Sequence, residues 1–173
     1  VEPIPSIAYN LPNQDLCSGD LSDTIAMSSP TNGALITWQI INPPLSISGI
    51  PNLTGNDSIP GMYLNNSSTS AQQILFQGTV STPLNACTTV GPIGQIVVLP
   101  EPVVTTINDL TICSGDVVSQ NINSSIPSTF VWGAQSNPNV NGESVGPVNS
   151  NFIYNSLQNT SSSIQYVDYT ITP

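Results

Sequence analysis

The sequence predicts an all-β protein made of two tandem immunoglobulin-like β-sandwich domains. Three observations support this fold class: short runs that alternate apolar and polar residues, frequent proline and glycine, and a motif that occurs twice. The 16 prolines and 12 glycines leave no uninterrupted window for a long helix. Short strands separated by such turn residues are typical of β-sandwiches.

Strands are predicted where Val, Ile, Thr and aromatic residues alternate with polar ones, because such runs suit a half-buried pleated surface. In the first half of the chain they are 23–28, 34–41, 61–65, 73–81 and 95–99. In the second half they are 117–123, 129–133, 152–156 and 164–172.

An internal repeat organises the chain into two copies of one domain. The motif Cys-Ser-Gly-Asp ends at Asp20 and again at Asp116, a tryptophan strand follows each copy, and the run 74–83 matches 164–173. This alignment predicts a linker from a preceding repeat at 1–5, a complete domain at 6–100, and a second domain at 101–173 that lacks its last strand. Because the chain begins with valine, we expect it to be a piece of a longer polypeptide.

The charge composition of the chain limits the classes of function that it can have. The chain has no Lys, Arg or His, and its formal net charge is −10. Nucleic acid is excluded as a partner because phosphate binding needs cations, and docking on an anionic membrane is disfavoured for the same reason. No apolar run is long enough for direct membrane insertion. Without histidine most acid–base and triad chemistry loses its usual residue, so we expect no enzyme.

The three cysteines fit the repeat. Cys17 opens the first copy and Cys87 lies near its end, so the alignment predicts a Cys17–Cys87 disulfide in an oxidising, extracellular setting. Closing that loop would contribute roughly 4 kcal/mol in the chain-entropy model. Cys113 is the counterpart of Cys17, and its partner is absent from the chain. The alternative is three unpaired, buried thiols.

Several motifs together resemble a known family. They are Cys-Ser-Gly-Asp, the tryptophan strand, Asn-Pro-Asn-Val-Asn-Gly-Glu at 137–143, Asn-Thr-Ser from Asn159, and Tyr-x-Ile-Thr-Pro at 169–173. In this order they resemble the PKD-like repeats of Bacteroidota surface proteins. The first copy departs from the pattern, since the segment 47–55 stands where the compact Asn-Val-Asn-Gly loop is expected.

The resemblance implies Ig-like modules in long tandem arrays of giant adhesins that the type IX secretion system exports, including adhesins of gliding motility. It implies an extracellular stalk or fibre on the cell surface. Its partners would be neighbouring repeats of the same polypeptide or fibre, with surface glycans as a further partner.

Five acidic residues are candidates for a calcium site, the one cofactor considered. Asp20 and Asp116 occupy equivalent places, and with Asp23, Glu101 and Asp109 they could supply the oxygen ligands that Ca²⁺ prefers. The alternative, which we favour, is that each turn aspartate caps the amides of its own turn.

The tryptophans and the modification signals have competing interpretations. Trp38 and Trp132 are predicted to lie in the core, as in Ig sandwiches; exposed sugar-stacking platforms are the alternative. Thr24 and Ser58 follow the Asp-Ser/Thr-aliphatic pattern that resembles the Bacteroidota O-glycosylation signal. Asn-x-Ser/Thr sequons also occur and are interpreted as mostly coincidental: they begin at Asn52, Asn56, Asn65, Asn66, Asn123 and Asn159.

Three functions remain open. The first is a non-catalytic stalk or spacer in cell-surface adhesion or gliding motility. The second is a subunit of a self-assembling extracellular filament joined by β-strand donation, with 6–11 as a candidate donated strand. The third is a carbohydrate-binding or hydrolytic module of an extracellular enzyme.

Overall fold

Every regular element that the structure describes is a β-strand. The structure, a computed structural model, describes residues 3–84 and 87–173. In these ranges no helix is present, and so none could cross a membrane. The chain divides into two compact units, Val1–Glu101 (unit 1) and Pro102–Pro173 (unit 2). Both are β-sandwiches, and the predicted all-β fold class is confirmed.

Unit 1 is built on one large sheet with the strand order β2-β10-β9-β4-β6. A second sheet has the order β1-β3-β7, and β5 pairs with β8. All of these pairs are antiparallel except β2 with β10, which run parallel. The strands described in unit 1 are β1 (Ala8–Tyr9), β2 (Asn13–Cys17), β3 (Ile25–Ser28), β4 (Leu35–Ile41), β5 (Ile47–Ser48), β6 (Thr54–Asn56), β7 (Ser58–Ile59), β8 (Asn65–Asn66), β9 (Gln72–Ser81) and β10 (Thr88–Leu99).

The core of unit 1 lies between its two sheets. Alternate residues of β4, β9 and β10 point inward, as the pleat of a strand requires. They meet the inward residues of β3 and β7, and Phe76, Ile25 and Ile59 are among the most deeply buried. Pro5, assigned from sequence to a linker, is fully buried. The segment 6–11 does not offer a strand for donation, because β1 pairs with β3 and the side chains of Ile7 and Tyr9 pack against this core.

Unit 2 repeats part of this plan. Its sheets have the orders β11-β15, β14-β12-β17 and β13-β16, all antiparallel. Unit 2 has a core of its own, and its most deeply buried side chains include Trp132, Ile122 and Ile153. The strands described in unit 2 are β11 (Val117–Asn121), β12 (Val131–Ala134), β13 (Val140–Asn141), β14 (Val148–Asn149), β15 (Phe152–Ser156), β16 (Gln158–Asn159) and β17 (Tyr169–Thr172).

The structure corrects the alignment of the two copies at their ends. Trp38 lies opposite Gly78 in its sheet, and Trp132 lies opposite Ile171. The run 164–173 therefore corresponds to 71–80, so Pro173 is the counterpart of Val80 and not of Pro83. The sequence alignment matched apolar residues to apolar residues, whereas strand register is set by pairing and by the loop before the strand.

Candidate functional site

The Cys-Ser-Gly-Asp motif forms the same turn in both units. In unit 1 the amide N of Cys17 donates to Asp20 Oδ2 over 3.2 Å, and the amide N of Asp20 donates to the Cys17 carbonyl over 3.1 Å. In unit 2 the corresponding distances between Cys113 and Asp116 are both 3.1 Å. Each aspartate thus caps its own turn, as favoured from the sequence.

Backbone hydrogen bonds join each turn to a distant strand. The amide N of Gly19 donates to the Leu64 carbonyl over 2.7 Å, and the amide N of Leu64 donates to the Asp20 carbonyl over 3.2 Å. Unit 2 reproduces this pair with Gly115 and Leu157, again at 2.7 Å for the first bond. The turn therefore holds the start of each unit against the segment that precedes its asparagine loop.

The asparagine loop of unit 1 is organised by the side chain of Asn66, which is 7% exposed. Its Oδ1 accepts from the amide and the hydroxyl of Ser68, over 3.0 and 2.7 Å. Its Nδ2 donates to the carbonyls of Ser70 and Val98, each over 2.8 Å. The backbone amide of Asn66 donates to Ser18 Oγ over 2.9 Å, which connects the loop to the turn.

Unit 2 contains the same loop around Asn159. Its Oδ1 accepts from the amide and the hydroxyl of Ser161 over 2.8 and 2.9 Å, and its Nδ2 donates to the Ser163 carbonyl over 2.7 Å. Its backbone amide donates to Ser114 Oγ over 3.0 Å. The turn and loop together, called here the turn–loop cluster, are thus one structural device used twice.

The candidate calcium ligands do not converge. In the described part of the chain, no group of three or more Asp, Glu, Cys or His side chains could hold a metal ion. Asp20 and Asp116 are exposed and cap their turns, while Asp23, Glu101 and Asp109 are exposed elsewhere on the surface. A calcium site built from these residues has no geometric support.

The predicted Cys17–Cys87 disulfide is contradicted by the strand order. Cys17 pairs with Leu99 at one end of β10, and Cys87 directly precedes Thr88 at the other end. The 12 residues of β10 span about 40 Å at about 3.3 Å each, whereas a disulfide needs Cα atoms within about 7 Å. The alternative of buried thiols is also wrong for Cys17 and Cys113, which are exposed.

Both tryptophans are core residues, which confirms the first of the two interpretations. Trp38 is 5% exposed and Trp132 is 3% exposed, so neither indole ring is a sugar-stacking platform. Their indole nitrogens differ. Nε1 of Trp38 donates to the Ser58 carbonyl over 2.8 Å, whereas the buried Nε1 of Trp132 has no acceptor among the residues described.

The modification signals lie in different environments. Thr24 is exposed just before β3, and Ser58 is half-buried within β7. The sequon at Asn66 cannot carry a glycan in the folded state, since its Nδ2 is buried and donates two hydrogen bonds. Nδ2 of Asn159 is likewise engaged with Ser163. These two sequons are therefore explained by the turn–loop cluster.

Comparison with known protein families finds a match within the second copy of the repeat. Residues 110–173 match a PKD-like domain. No curated protein matches the chain. PKD-like domains are typically extracellular and non-catalytic, so the match indicates an extracellular structural or adhesion-type module.

A loop outside the sequence alignment also belongs to the repeat. In unit 2 β13 pairs with β16 and is followed by Gly142, and in unit 1 β5 pairs with β8 in the same way and is followed by Gly49. Both glycines have positive φ, 94° and 96°. The first copy therefore forms the same loop, although its sequence at 47–55 departs from the family pattern. In both copies the sequence marks this loop by a hydrophobic residue two positions before a glycine.

One titratable group of unit 2 has a shifted pKa. Tyr169 Oη donates to Oδ1 of the buried Asn155 over 3.0 Å, and Asn155 Nδ2 donates to Ser144 Oγ over 2.7 Å. Burial, and secondly the Glu143 carboxylate, raise the pKa of Tyr169 above its ordinary value of 10.0. The Tyr169 side chain is half-buried and packs against the core of unit 2.

Proposed function

We propose that the chain is a pair of modules from the stalk of an extracellular surface adhesin, of which unit 1 is built to bear load. The observation that carries this proposal is the parallel pairing of β2 with β10. Five residue pairs join them, from Asn13 with Gln95 to Cys17 with Leu99. The first strand of the large sheet in chain order, β2, is thus hydrogen-bonded directly to the last strand of unit 1, β10.

This pairing resists tension along the chain. Because the two strands are parallel, a pull on the chain before Asn13 and after Leu99 drives them in opposite directions along their length. The hydrogen bonds between them are then loaded together, unlike those of a hairpin that opens one pair at a time. Further bonds extend the ladder at both ends: the Gln95 amide donates to the Pro12 carbonyl and the Ser18 amide to the Leu99 carbonyl, each over 2.9 Å.

Other properties support a stalk. The sequence is uncharged for most of its length and strongly acidic overall, which keeps neighbouring modules soluble. The PKD-like match supports an extracellular module. Export by type IX secretion and a role in adhesion or gliding motility are proposed from the resemblance of the sequence motifs to Bacteroidota adhesins. Neighbouring repeats are the proposed partners, with surface glycans as a further partner, and the exposed Thr24 is the better placed of the two proposed O-glycosylation sites.

Single-molecule force spectroscopy of proline variants tests the load-bearing role. The Ser18 amide donates to β10, and backbone amides alternate in direction along a strand. The Gln14 amide therefore also points to β10, whereas the Asp15 amide points away from it, so only a proline at position 14 removes a hydrogen bond of this ladder. We expect Gln14→Pro to lower the rupture force of unit 1 and Asp15→Pro to leave it nearly unchanged.

A further control separates the side chain of Gln14 from its amide. Gln14 Oε1 accepts from the Asp23 amide over 2.8 Å, and Gln14 Nε2 donates to the Asp23 carbonyl over 3.2 Å. Gln14→Ala removes these bonds and keeps the ladder, so it should retain most of the rupture force. Equal rupture forces for Gln14→Pro and Asp15→Pro would contradict the proposal.

A further inference from the structure

The outer face of one sheet of unit 2 carries two aromatic side chains. Phe152 and Tyr154 alternate along β15 with Ile153 and Asn155, which are 3% and 5% exposed. Because successive residues of a strand point to opposite faces, both aromatic rings lie on the face that points away from the core. Phe152 is half-buried, whereas Tyr154 is 61% exposed. Aromatic carbon is therefore open to the surroundings of this unit.

The rings of Phe152 and Tyr154 form one surface, called here the aromatic platform. Their centroids lie 6.4 Å apart and their planes are inclined by 23°, which is close to parallel. The backbone beneath them is held by β11 through five residue pairs, from Val117 with Ser156 to Asn121 with Phe152. Regular pairing fixes the direction in which both side chains leave the strand, so the platform is organised by the fold of unit 2 itself.

Uncharged polar side chains stand beside the aromatic platform. In the pairing of β11 with β15, Ser119 lies directly opposite Tyr154 and Asn121 lies directly opposite Phe152. Residues opposite each other in an antiparallel pair have Cβ atoms about 5 Å apart and share one face of the sheet. Ser119 and Asn121 are exposed, and neither side chain has a hydrogen-bond partner among the residues described. An amide and a hydroxyl are thus available next to the aromatic rings.

The chemistry of this face fits a neutral glycan. The C–H groups on one side of a sugar ring pack against aromatic carbon, and the hydroxyl groups at its rim form hydrogen bonds with amides and hydroxyls. The chain has no Lys, Arg or His and a net charge of −10, so glycans that carry carboxylate or sulfate groups are repelled. The same charge disfavours a second copy of the chain as the occupant. A face of two extended strands also suits an extended, β-linked glycan.

Unit 1 has no such platform on its corresponding sheet. There β3 and β7 place Ala26 opposite Ser58 on the outer face, since Ile25 and Ile59 point into the core. Tyr63 of unit 1 is 65% exposed, but the residue opposite it is Leu21 and not a polar side chain beside a second ring. The platform is therefore a property of unit 2 and not a general consequence of the shared fold.

We propose that the aromatic platform of unit 2 binds a neutral, β-linked glycan. Sugar rings stack on Tyr154 and Phe152, and their hydroxyl groups form hydrogen bonds with the side chains of Asn121 and Ser119. The inference rests on the proposed function only for the extracellular location, where such glycans occur. It does not depend on the load-bearing role of unit 1, so the rupture force of unit 1 and the binding of a glycan can fail separately.

NMR titration of the full chain with two neutral β-linked oligosaccharides, cellohexaose and chitohexaose, tests the proposal. With at least one of them we expect saturable shifts of the backbone amides of Ser119, Asn121 and Tyr154, and none at Tyr63 of unit 1. The C6-oxidised form of cellohexaose adds carboxylates to the same backbone, and we expect it to bind at least about tenfold more weakly than the neutral oligosaccharide. No saturable shift in β11 and β15 with either neutral probe, or tighter binding of the oxidised form, would overturn the proposal.

Substitutions of Tyr154 distinguish sugar stacking from apolar adhesion. Tyr154→Phe keeps the ring and should retain most of the affinity, whereas Tyr154→Leu keeps only an apolar side chain and should weaken binding at least about tenfold. Tyr63→Leu, at a similarly exposed tyrosine of unit 1, is the matched control and should leave the affinity unchanged. Equal affinities of Tyr154→Leu and the unchanged chain would overturn the proposal. So would concentration-dependent shifts of the same amides without oligosaccharide, because a second copy would then cover the platform.

Discussion

Gly142 lies so close to Ser156 that a side chain on Gly142 would collide with the Ser156 carbonyl oxygen. Gly115 has the same φ of +94° and open space around it. The two glycines of unit 2 therefore separate the effect of backbone conformation from the effect of close packing.

Alanine substitutions at these glycines should differ in cost. We expect Gly115→Ala to lower the free energy of unfolding by about 1 kcal/mol, the penalty for positive φ. Gly142→Ala should lower it by at least about 3 kcal/mol, because the backbone of β13 or β15 must also move. Urea unfolding followed by the fluorescence of Trp132, the single tryptophan of unit 2, measures both. Similar losses would contradict the close contact.

Replacing each of the two tryptophans by phenylalanine should lower the free energy of unfolding by different amounts. Trp38→Phe loses the hydrogen bond to Ser58, whereas Trp132→Phe removes a buried donor that has no described acceptor. We expect Trp38→Phe to cost about 1 kcal/mol more than Trp132→Phe. Circular dichroism during urea unfolding measures both, since each variant loses its fluorescent reporter. A larger cost at Trp132 would show that its Nε1 is bonded in solution.

Asn66 should tolerate a charge less well than Asn159. Aspartate has nearly the same shape but replaces the Nδ2 donor by an acceptor, which would face the carbonyls of Ser70 and Val98 in unit 1. In unit 2 it would face only that of Ser163, at a half-buried position. We expect Asn66→Asp to destabilise its unit by about 2 kcal/mol more than Asn159→Asp. Equal losses in urea unfolding would argue against the Val98 contact.

Unit 2 should lose stability in alkali through Tyr169. The folded-state pKa of Tyr169 lies above 10.0, so between 10.0 and the folded value the unfolded state binds fewer protons than the native state. Stability is then full below pH 10 and falls as the pH rises through the folded pKa. Tyr169→Phe should remove this fall, and Glu143→Gln should lessen it. Thermal unfolding across that pH range measures the effect, and an unchanged alkaline slope in Tyr169→Phe would contradict it.

The long strands were predictable because their side chains alternate in chemistry. The predicted strands 34–41, 73–81 and 152–156 correspond closely to β4, β9 and β15. By contrast β2, Asn13–Cys17, was missed, since its polar residues have low strand propensity and it forms by parallel pairing with β10. Of the predicted strand 164–172 only Tyr169–Thr172 is a strand, because strand formation also requires a paired neighbour.

The turn–loop cluster was only partly predictable. The repeated Cys-Ser-Gly-Asp motif indicated its turn, and the capping role of Asp20 followed from turn chemistry. The role of Asn66 did not, because its partners Ser18 and Val98 are distant in sequence. The disulfide prediction was wrong for a related reason: spacing along the chain cannot tell that Cys17 pairs with the last residue of β10, whereas Cys87 precedes its first residue.

The order in which the two units unfold under tension tests the central claim most directly. Unit 1 has the parallel pairing of β2 with β10, and the described part of unit 2 has no equivalent. Stretching the single 173-residue chain should release unit 2 first and unit 1 at a clearly higher force. The longer unit 1 is recognised by the greater length it releases. Release of unit 1 first, or of both units at the same force, would contradict a load-bearing role for this strand pair.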